Sequence, residues 1–162
     1  MRYILSILVM ITLIMVSIFF TPKIAAAEAK PDMGGWEIDG AYNKHFNIAE
    51  LEDFKGVVNK IMEVVPLPGM SPGVALVVQN KRDKQEYLVH LCPVWFAAPD
   101  DIGIRKGDRV TVRGVLVEIE GKEVFMATKV KKGDSFQFKV RLTKDGTPFW
   151  TMSPEQLARE RK

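Results

Sequence analysis

Cysteine and histidine are scarce in this chain, and their scarcity excludes several kinds of protein. Among 162 residues there are one cysteine, Cys92, and two histidines. A single cysteine cannot form an intramolecular disulfide, so the fold must rest on its apolar core. A structural zinc site needs four ligands at paired spacings, and covalent haem needs a C-x-x-C-H motif. Neither pattern occurs in the sequence.

The sequence also lacks the short motifs that mark common active sites. It has no G-x-S-x-G, no H-E-x-x-H, no P-loop and no G-x-G-x-x-G. Its acid pairs, Asp100 with Asp101 and Glu118 with Glu120, fit a solvated loop and an exposed strand better than acid–base chemistry. We therefore predict a protein that is not an enzyme and that needs no cofactor.

The first 27 residues resemble a secretory signal peptide. Arg2 precedes an apolar run of eighteen residues, and Ala25, Ala26 and Ala27 fit an A-x-A cleavage site. Cleavage before Glu28 would give a periplasmic or otherwise exported protein. A run of that length is also within the range of about 17–25 residues that spans a bilayer. An uncleaved leader that tethers the chain to the inner membrane is therefore the alternative, and only then do we expect contact with a membrane.

The charge balance argues against nucleic acid as a partner. The chain has 23 basic and 20 acidic residues, and loss of Arg2 and Lys23 with the leader leaves 21 against 20. A protein that binds a phosphate backbone would be expected to have a clear basic excess. We therefore expect a protein or small-molecule partner in the cell envelope and no nucleic acid.

Alternating apolar residues predict a run of short strands. Three of them cover residues 55–65, 74–79 and 86–91, and three more follow within residues 106–142. The alternation changes phase at Gly114, which is typical of a bulge or a sharp strand bend. Between the two groups, Trp95 and Phe96 lie in a segment where a helical turn over residues 94–98 could plug a barrel.

This order of elements predicts a mainly β fold: a small OB-fold-like Greek-key barrel of five to six strands with a short helical plug. Residues 28–54 are expected to form a flexible arm, anchored at Trp36, and a short helix over residues 48–54. The barrel would cover residues 55–143. Residues 144–162 would form an aromatic turn and a short C-terminal helix, capped by Ser153 and Gln156.

Three stretches of the chain resemble the bacterial OB-fold group of small exported proteins. They are GVV at residues 56–58, KGDRVTVRG at residues 106–114 and EVFMATKV at residues 123–130, and the leader fits the same group. The resemblance covers roughly residues 55–130. It implies a soluble periplasmic binding or stress-related accessory module, with no catalytic residues to transfer to this chain.

Two sets of residues are candidate sites. The first set would recognise a partner protein or small ligand through aromatic pairs at element ends and through cations of the last strand. The second set is the alternative, a periplasmic metal-handling protein whose ligands lie two residues apart on one strand face. The partner-binding candidates are Trp95, Phe96, Phe149, Trp150, Lys139 and Arg141, and the metal candidates are His90 and Cys92.

Overall fold

The structure is a computed structural model and describes residues 32–161. The described chain is mainly β, as predicted, with six strands, short 3-10 helices and one α-helix. The strands are β1 (Glu52–Val64), β2 (Gly73–Asn80), β3 (Glu86–Pro93), β4 (Arg109–Ile119), β5 (Lys122–Lys132) and β6 (Phe136–Lys139). The 3-10 helices are Asn43–His45, Ile48–Glu50 and Phe149–Thr151, and the α-helix is α1 (Pro154–Glu160).

The sheet closes on itself. Its strands follow the order β3-β2-β1-β4-β5-β6, and all neighbours in that order are antiparallel. A parallel pairing of β3 with β5 closes the ring, at Val89 with Phe125 and at His90 with Met126. β6 pairs with β5 alone. The OB-fold-like barrel predicted from the sequence is therefore confirmed as a fold class.

The bulge predicted at Gly114 is present. The pairing of β4 with β5 changes register between Arg113 and Gly114. A Cβ added at Gly114 would collide with the backbone carbonyl of Met126 and would lie 2.8 Å from the Cα of Ala127. Glycine is therefore required for close approach of the two strands here, because any side chain would push β5 away.

The segment before β1 differs from the flexible arm that the sequence predicted. Trp36 is fully buried, and its Nε1–H donates to the Ser71 carbonyl at 2.9 Å. Its ring makes edge-to-face contacts with Tyr42 and Trp150, with ring centres 4.8 and 5.5 Å apart. Burial of that much aromatic surface fixes the segment on the barrel. The predicted helix over residues 48–54 is only the 3-10 turn Ile48–Glu50, because β1 already begins at Glu52.

Three other predicted elements have mixed outcomes. Residues 94–98 form hydrogen-bonded turns rather than a helix, with Phe96 N–H and Ala97 N–H both donating to the Pro93 carbonyl. The last strand ends at Lys139, before the predicted limit at residue 142. The C-terminal helix is confirmed, and Ser153 and Gln156 form the predicted capping box.

The predicted leader lies outside the described residues, and no helix within residues 32–161 is long and apolar enough to cross a membrane.

A buried polar pair lies in the core beneath Trp36. The Tyr42 hydroxyl is 3.3 Å from Nδ1 of His90, and both side chains are at most 4% exposed. Burial raises the pKa of Tyr42, so the phenol keeps its proton at neutral pH. Burial lowers the pKa of His90 to about 4, so its imidazole is neutral and can accept that proton in a hydrogen bond.

We expect Trp36→Ala to lower the free energy of unfolding by about 3–5 kcal/mol, because the substitution leaves a large cavity and removes the hydrogen bond to Ser71. Trp95→Ala is the matched control, since Trp95 is 51% exposed, and it should change the free energy of unfolding by no more than about 0.5 kcal/mol. Urea denaturation measures both. Equal effects of the two substitutions would contradict the packed position of residues 32–50.

We also expect His90 to make stability depend on pH. Between pH 6.5 and about 4 the imidazole binds a proton in the unfolded chain but not in the folded one, so stability falls as the pH falls. The full loss is roughly 3 kcal/mol, at about 1.4 kcal/mol per pKa unit. Urea denaturation from pH 7 to pH 4 should show a shallower decline for His90→Gln than for the wild type. His45→Gln, at an exposed position, should decline as steeply as the wild type.

Candidate anion-binding face

Four cations form a continuous patch on the outer surface of β4, β5 and β6. Arg113 on β4 lies directly opposite Lys129 on β5, and Lys129 lies directly opposite Lys139 on β6. Lys131 follows Lys129 on the same side of β5, two residues further along the strand. We call Arg113, Lys129, Lys131 and Lys139 the basic face.

Positive charge on the basic face is only partly neutralised. Asp53, opposite Arg113 on β1, makes an exposed ion pair with it at 3.4 Å, and an exposed pair of this kind contributes little stability. Partial burial lowers the pKa of Lys129, and the like charges of Lys131, Arg113 and Lys139 lower it further. Lys129 therefore lies in a region of positive potential, which an anionic ligand would relieve.

A cavity of about 270 Å³ opens beside the basic face, between β6, the chain that follows it and the end of α1. We call it the basic pocket. Its cations are Lys129, Lys139, Arg141 and Lys144, and Glu160 is the one carboxylate in its lining. Glu160 pairs with the exposed Lys144 at 3.8 Å. The other three cations of the lining have no ion-pair partner among residues 32–161.

Arg141 is buried, although the sequence placed it on an exposed basic surface. β6 ends at Lys139, and the amides of Val140 and Arg141 both donate to the Thr128 carbonyl, at 2.8 and 3.0 Å. This irregularity breaks the strand alternation, so Arg141 turns inward and only 3% of it is exposed. Strand periodicity could not reveal that change of direction.

The predicted aromatic residues divide between the core and the surface. Phe149 and Trp150 are buried, and Trp150 donates its Nε1–H to the Trp36 carbonyl at 2.9 Å. Phe96 is half-buried, with its ring 6.3 Å from that of Trp150. Trp95 alone of the four is exposed. Trp150 therefore acts in the first place as a core residue, while Phe96 remains able to contact a ligand.

Phe96 contributes to a second cavity next to the basic pocket. This cavity of about 420 Å³ shares Gln137 and Lys139 with the basic pocket, and Arg161 lies at its edge with the guanidinium carbon 5.7 Å from the Phe96 ring centre. The structure thus brings Phe96, Lys139 and Arg141 to one end of the barrel. Trp95 lines neither cavity.

Residues that the sequence did not single out complete the site. Asn43 accepts a hydrogen bond from Nη2 of Arg141 at 2.7 Å across 98 positions of the chain, and no local pattern signals such a pairing. Lys144 belongs to a turn that was interpreted only as a turn. Arg113 could have been placed beside Lys129 only with knowledge of the register on both sides of the bulge.

His90 and Cys92 do not form a metal site with other described residues. Across residues 32–161 no group of three His, Cys, Asp or Glu side chains could hold a metal ion. Cys92 is fully buried, and burial raises the pKa of its thiol to about 12, so it stays protonated rather than becoming the thiolate that binds metals. Nδ1 of His90 is in a hydrogen bond with the Tyr42 hydroxyl. Both residues are explained by the core.

Comparison with known proteins gives a family for the barrel. No curated protein matches the chain. Residues 50–137, more than half of the chain, match the model of the MamS/MamX magnetosome protein family. The matched stretch runs from the 3-10 turn before β1 to the first residues of β6, and it includes three of the four cations of the basic face. The chain therefore belongs to the MamS/MamX magnetosome protein family.

Proposed function

We propose that this chain is a non-enzymatic accessory module of the magnetosome that binds an acidic partner protein through the basic face and the basic pocket. The observation that supports the proposal is the concentration of positive charge, only partly neutralised by Asp53, across β4, β5 and β6. Outside the leader, by contrast, the whole chain is nearly balanced in charge, with 21 basic and 20 acidic residues. Such local asymmetry attracts and orients an oppositely charged partner.

An acidic protein fits this surface better than a nucleic acid does. The basic face has four cations, and the carboxylates of Asp53 and Glu160 lie at its borders. A phosphate backbone would meet repulsion from those carboxylates, and nucleic-acid binding normally requires a larger basic excess. A short acidic segment of a protein can place its negative charges between the two carboxylates.

No catalytic step belongs to the proposal. Three side chains with strongly shifted pKa values, Tyr42, His90 and Cys92, are buried in the core. They line neither the basic pocket nor the neighbouring cavity, so a substrate in those cavities would not reach them. Export by the predicted leader is also part of the proposal, and it is supported by the sequence pattern of residues 1–27.

We expect a fluorescently labelled deca-glutamate peptide to bind the protein, with an affinity that falls steeply as salt is raised. The double substitution Lys129→Glu and Lys139→Glu should weaken binding at least about tenfold, because like charges would then face each other across the interface. Fluorescence anisotropy measures the affinity.

The matched control is Lys60→Glu with Lys122→Glu, which makes the same change in net charge at exposed positions of β1 and β5 outside the basic face. It should weaken peptide binding by less than about twofold. Equal losses in the two double variants would refute the proposed surface. Tighter binding of a single-stranded DNA oligomer, or of vesicles containing anionic lipid, would show that the partner is not an acidic protein.

A further inference from the structure

One edge of β6 has no strand beside it. β6 pairs with β5 along its inner edge, and no strand within residues 32–161 pairs with its other edge. Phe96 and Ala97, from the segment after β3, line a cavity together with β6. Their amides donate to the Pro93 carbonyl and not to β6. The free edge therefore offers main-chain donors and acceptors to a further strand.

The pairing with β5 shows which main-chain groups of β6 are free. The Thr128 carbonyl of β5 accepts a hydrogen bond at 2.8 Å from the amide of the residue that follows β6. In an antiparallel ladder every second residue bonds to the neighbouring strand, so Val130 also faces β6 and bonds to Phe138 opposite it. Gln137 and Lys139 then direct their N–H and C=O groups away from β5. No main-chain group elsewhere in residues 32–161 bonds to them.

A groove runs along this free edge. It is the cavity of about 420 Å³ next to the basic pocket, and its lining includes Gln137, Phe138 and Lys139. Side chains of three consecutive strand residues cannot all project to one side, so a cavity that all three line must follow the edge of the strand. The segment after β3 forms the opposite wall. We call this cavity the edge groove. The four residues of β6 span about 13 Å, which is room for one short strand.

The two faces of β6 are unlike, and they determine what an added strand should contain. Lys139 lies on the basic face beside Lys129, whereas Phe138 projects to the opposite side of the sheet. Phe96 adds a second apolar side chain to the edge groove. A strand beside β6 presents its own side chains alternately to the same two sides. Acidic residues at every second position would meet the basic face, and apolar residues between them would meet Phe138 and Phe96.

Charge favours an acidic strand over a second copy of this chain. Two copies paired through β6 would place two basic faces side by side, and lysines on an edge strand oppose such self-pairing. Lys139 and Arg161 line the edge groove, against the single carboxylate of Asp101. The cations that repel a second copy attract an acidic strand.

We propose that the acidic partner binds as an extended strand added to β6 in the edge groove, with acidic and apolar residues in alternation. This inference rests on the proposed function and adds the conformation and the sequence pattern of the partner segment. Main-chain bonds to Gln137 and Lys139 supply affinity, and the two unlike faces of β6 supply specificity.

The first test compares two capped heptapeptides of equal composition, each with four Glu and three Val. Glu and Val alternate in one peptide, whereas the four Glu precede the three Val in the other. The alternating peptide should bind at least about tenfold more tightly, as measured by fluorescence anisotropy. Equal affinities would mean that the protein recognises net charge alone, and strand addition would be refuted.

N-methyl groups on the alternating peptide test its main-chain hydrogen bonds without changing its charge. Because every second N–H of a strand points to the same edge, methyl groups on two adjacent central residues block both edges, and binding should fall at least about tenfold. The matched controls have two methyl groups on alternate residues, either both on Glu or both on Val, and so block one edge only. At least one control should bind within about threefold of the unmethylated peptide. An unchanged affinity after methylation of both edges would overturn the inference.

Hydrogen exchange of the wild-type protein, followed by ¹⁵N–¹H NMR, locates the added strand. In the free protein the amides of Gln137 and Lys139 should exchange faster than that of Phe138, and the alternating peptide should slow both at least about tenfold. The amide of the exposed Lys106 should not change. A bound peptide that leaves Gln137 and Lys139 unprotected would contradict the inference. So would slow exchange of both amides in the free protein, since the edge would then already be occupied by this chain or by a second copy.

The outcomes separate this inference from the proposed function. If Lys129→Glu with Lys139→Glu weakens both heptapeptides equally and methylation has no effect, the basic face stands and strand addition is refuted. If the alternating peptide protects Gln137 and Lys139 but binds the double variant as tightly as the wild type, strand addition stands and the role of the basic face is refuted. Thermal unfolding checks that the double variant is folded.

Discussion

Closure of the barrel through β5 is the constraint on which the rest of the structure depends. One edge of β5 pairs with β4 along almost its whole length. The other edge is divided, because Phe125 and Met126 pair with β3 while Lys129 to Lys132 pair with β6. The ring therefore closes on the first half of β5 and leaves the second half available for an added strand. That added strand completes the basic face and leads into Arg141.

The basic face shows why total charge is a poor guide to partners. A net charge near zero outside the leader argues correctly against a protein covered in positive charge, but it does not reveal how the charges are distributed. Register places Arg113, Lys129 and Lys139 side by side across three strands, and most acidic residues lie elsewhere. Partial burial lowers the pKa of Lys129, and the neighbouring cations that this arrangement brings close lower it further. A charge count from the sequence averages over this pattern.

Local sequence signals predicted local structure well. The phase change at Gly114 marked the bulge, and Ser153 with Gln156 marked the start of α1, because each feature depends on residues a few positions apart. The strands also followed from the spacing of apolar residues, and the barrel followed from the order of the predicted elements. The narrower likeness to the bacterial OB-fold group, together with the leader, remains a prediction.

Long-range packing was not predictable from the sequence. Trp36 appeared to be an isolated anchor in a flexible arm, yet it is fully buried and its carbonyl accepts from Trp150, 114 positions away. Arg141 appeared to continue an alternating strand, yet two amides that share the Thr128 carbonyl turn it inward. The first contact joins the two ends of the described chain, and the second joins the chain just after β6 to the neighbouring β5, so neither lies within a short window of neighbouring residues.

The surroundings of Arg141 come from outside the part of the chain that matches the family. Residues 50–137 cover β1 to β5, whereas Asn43, Phe46 and Trp150 come from the segments on either side. The flanking segments provide the Arg141 guanidinium with two hydrogen-bond acceptors and two aromatic rings. The buried Tyr42 hydroxyl is a further partner of the guanidinium, so Arg141 links the segment before β1 to the segment after β6 through its hydrogen bonds and ring contacts.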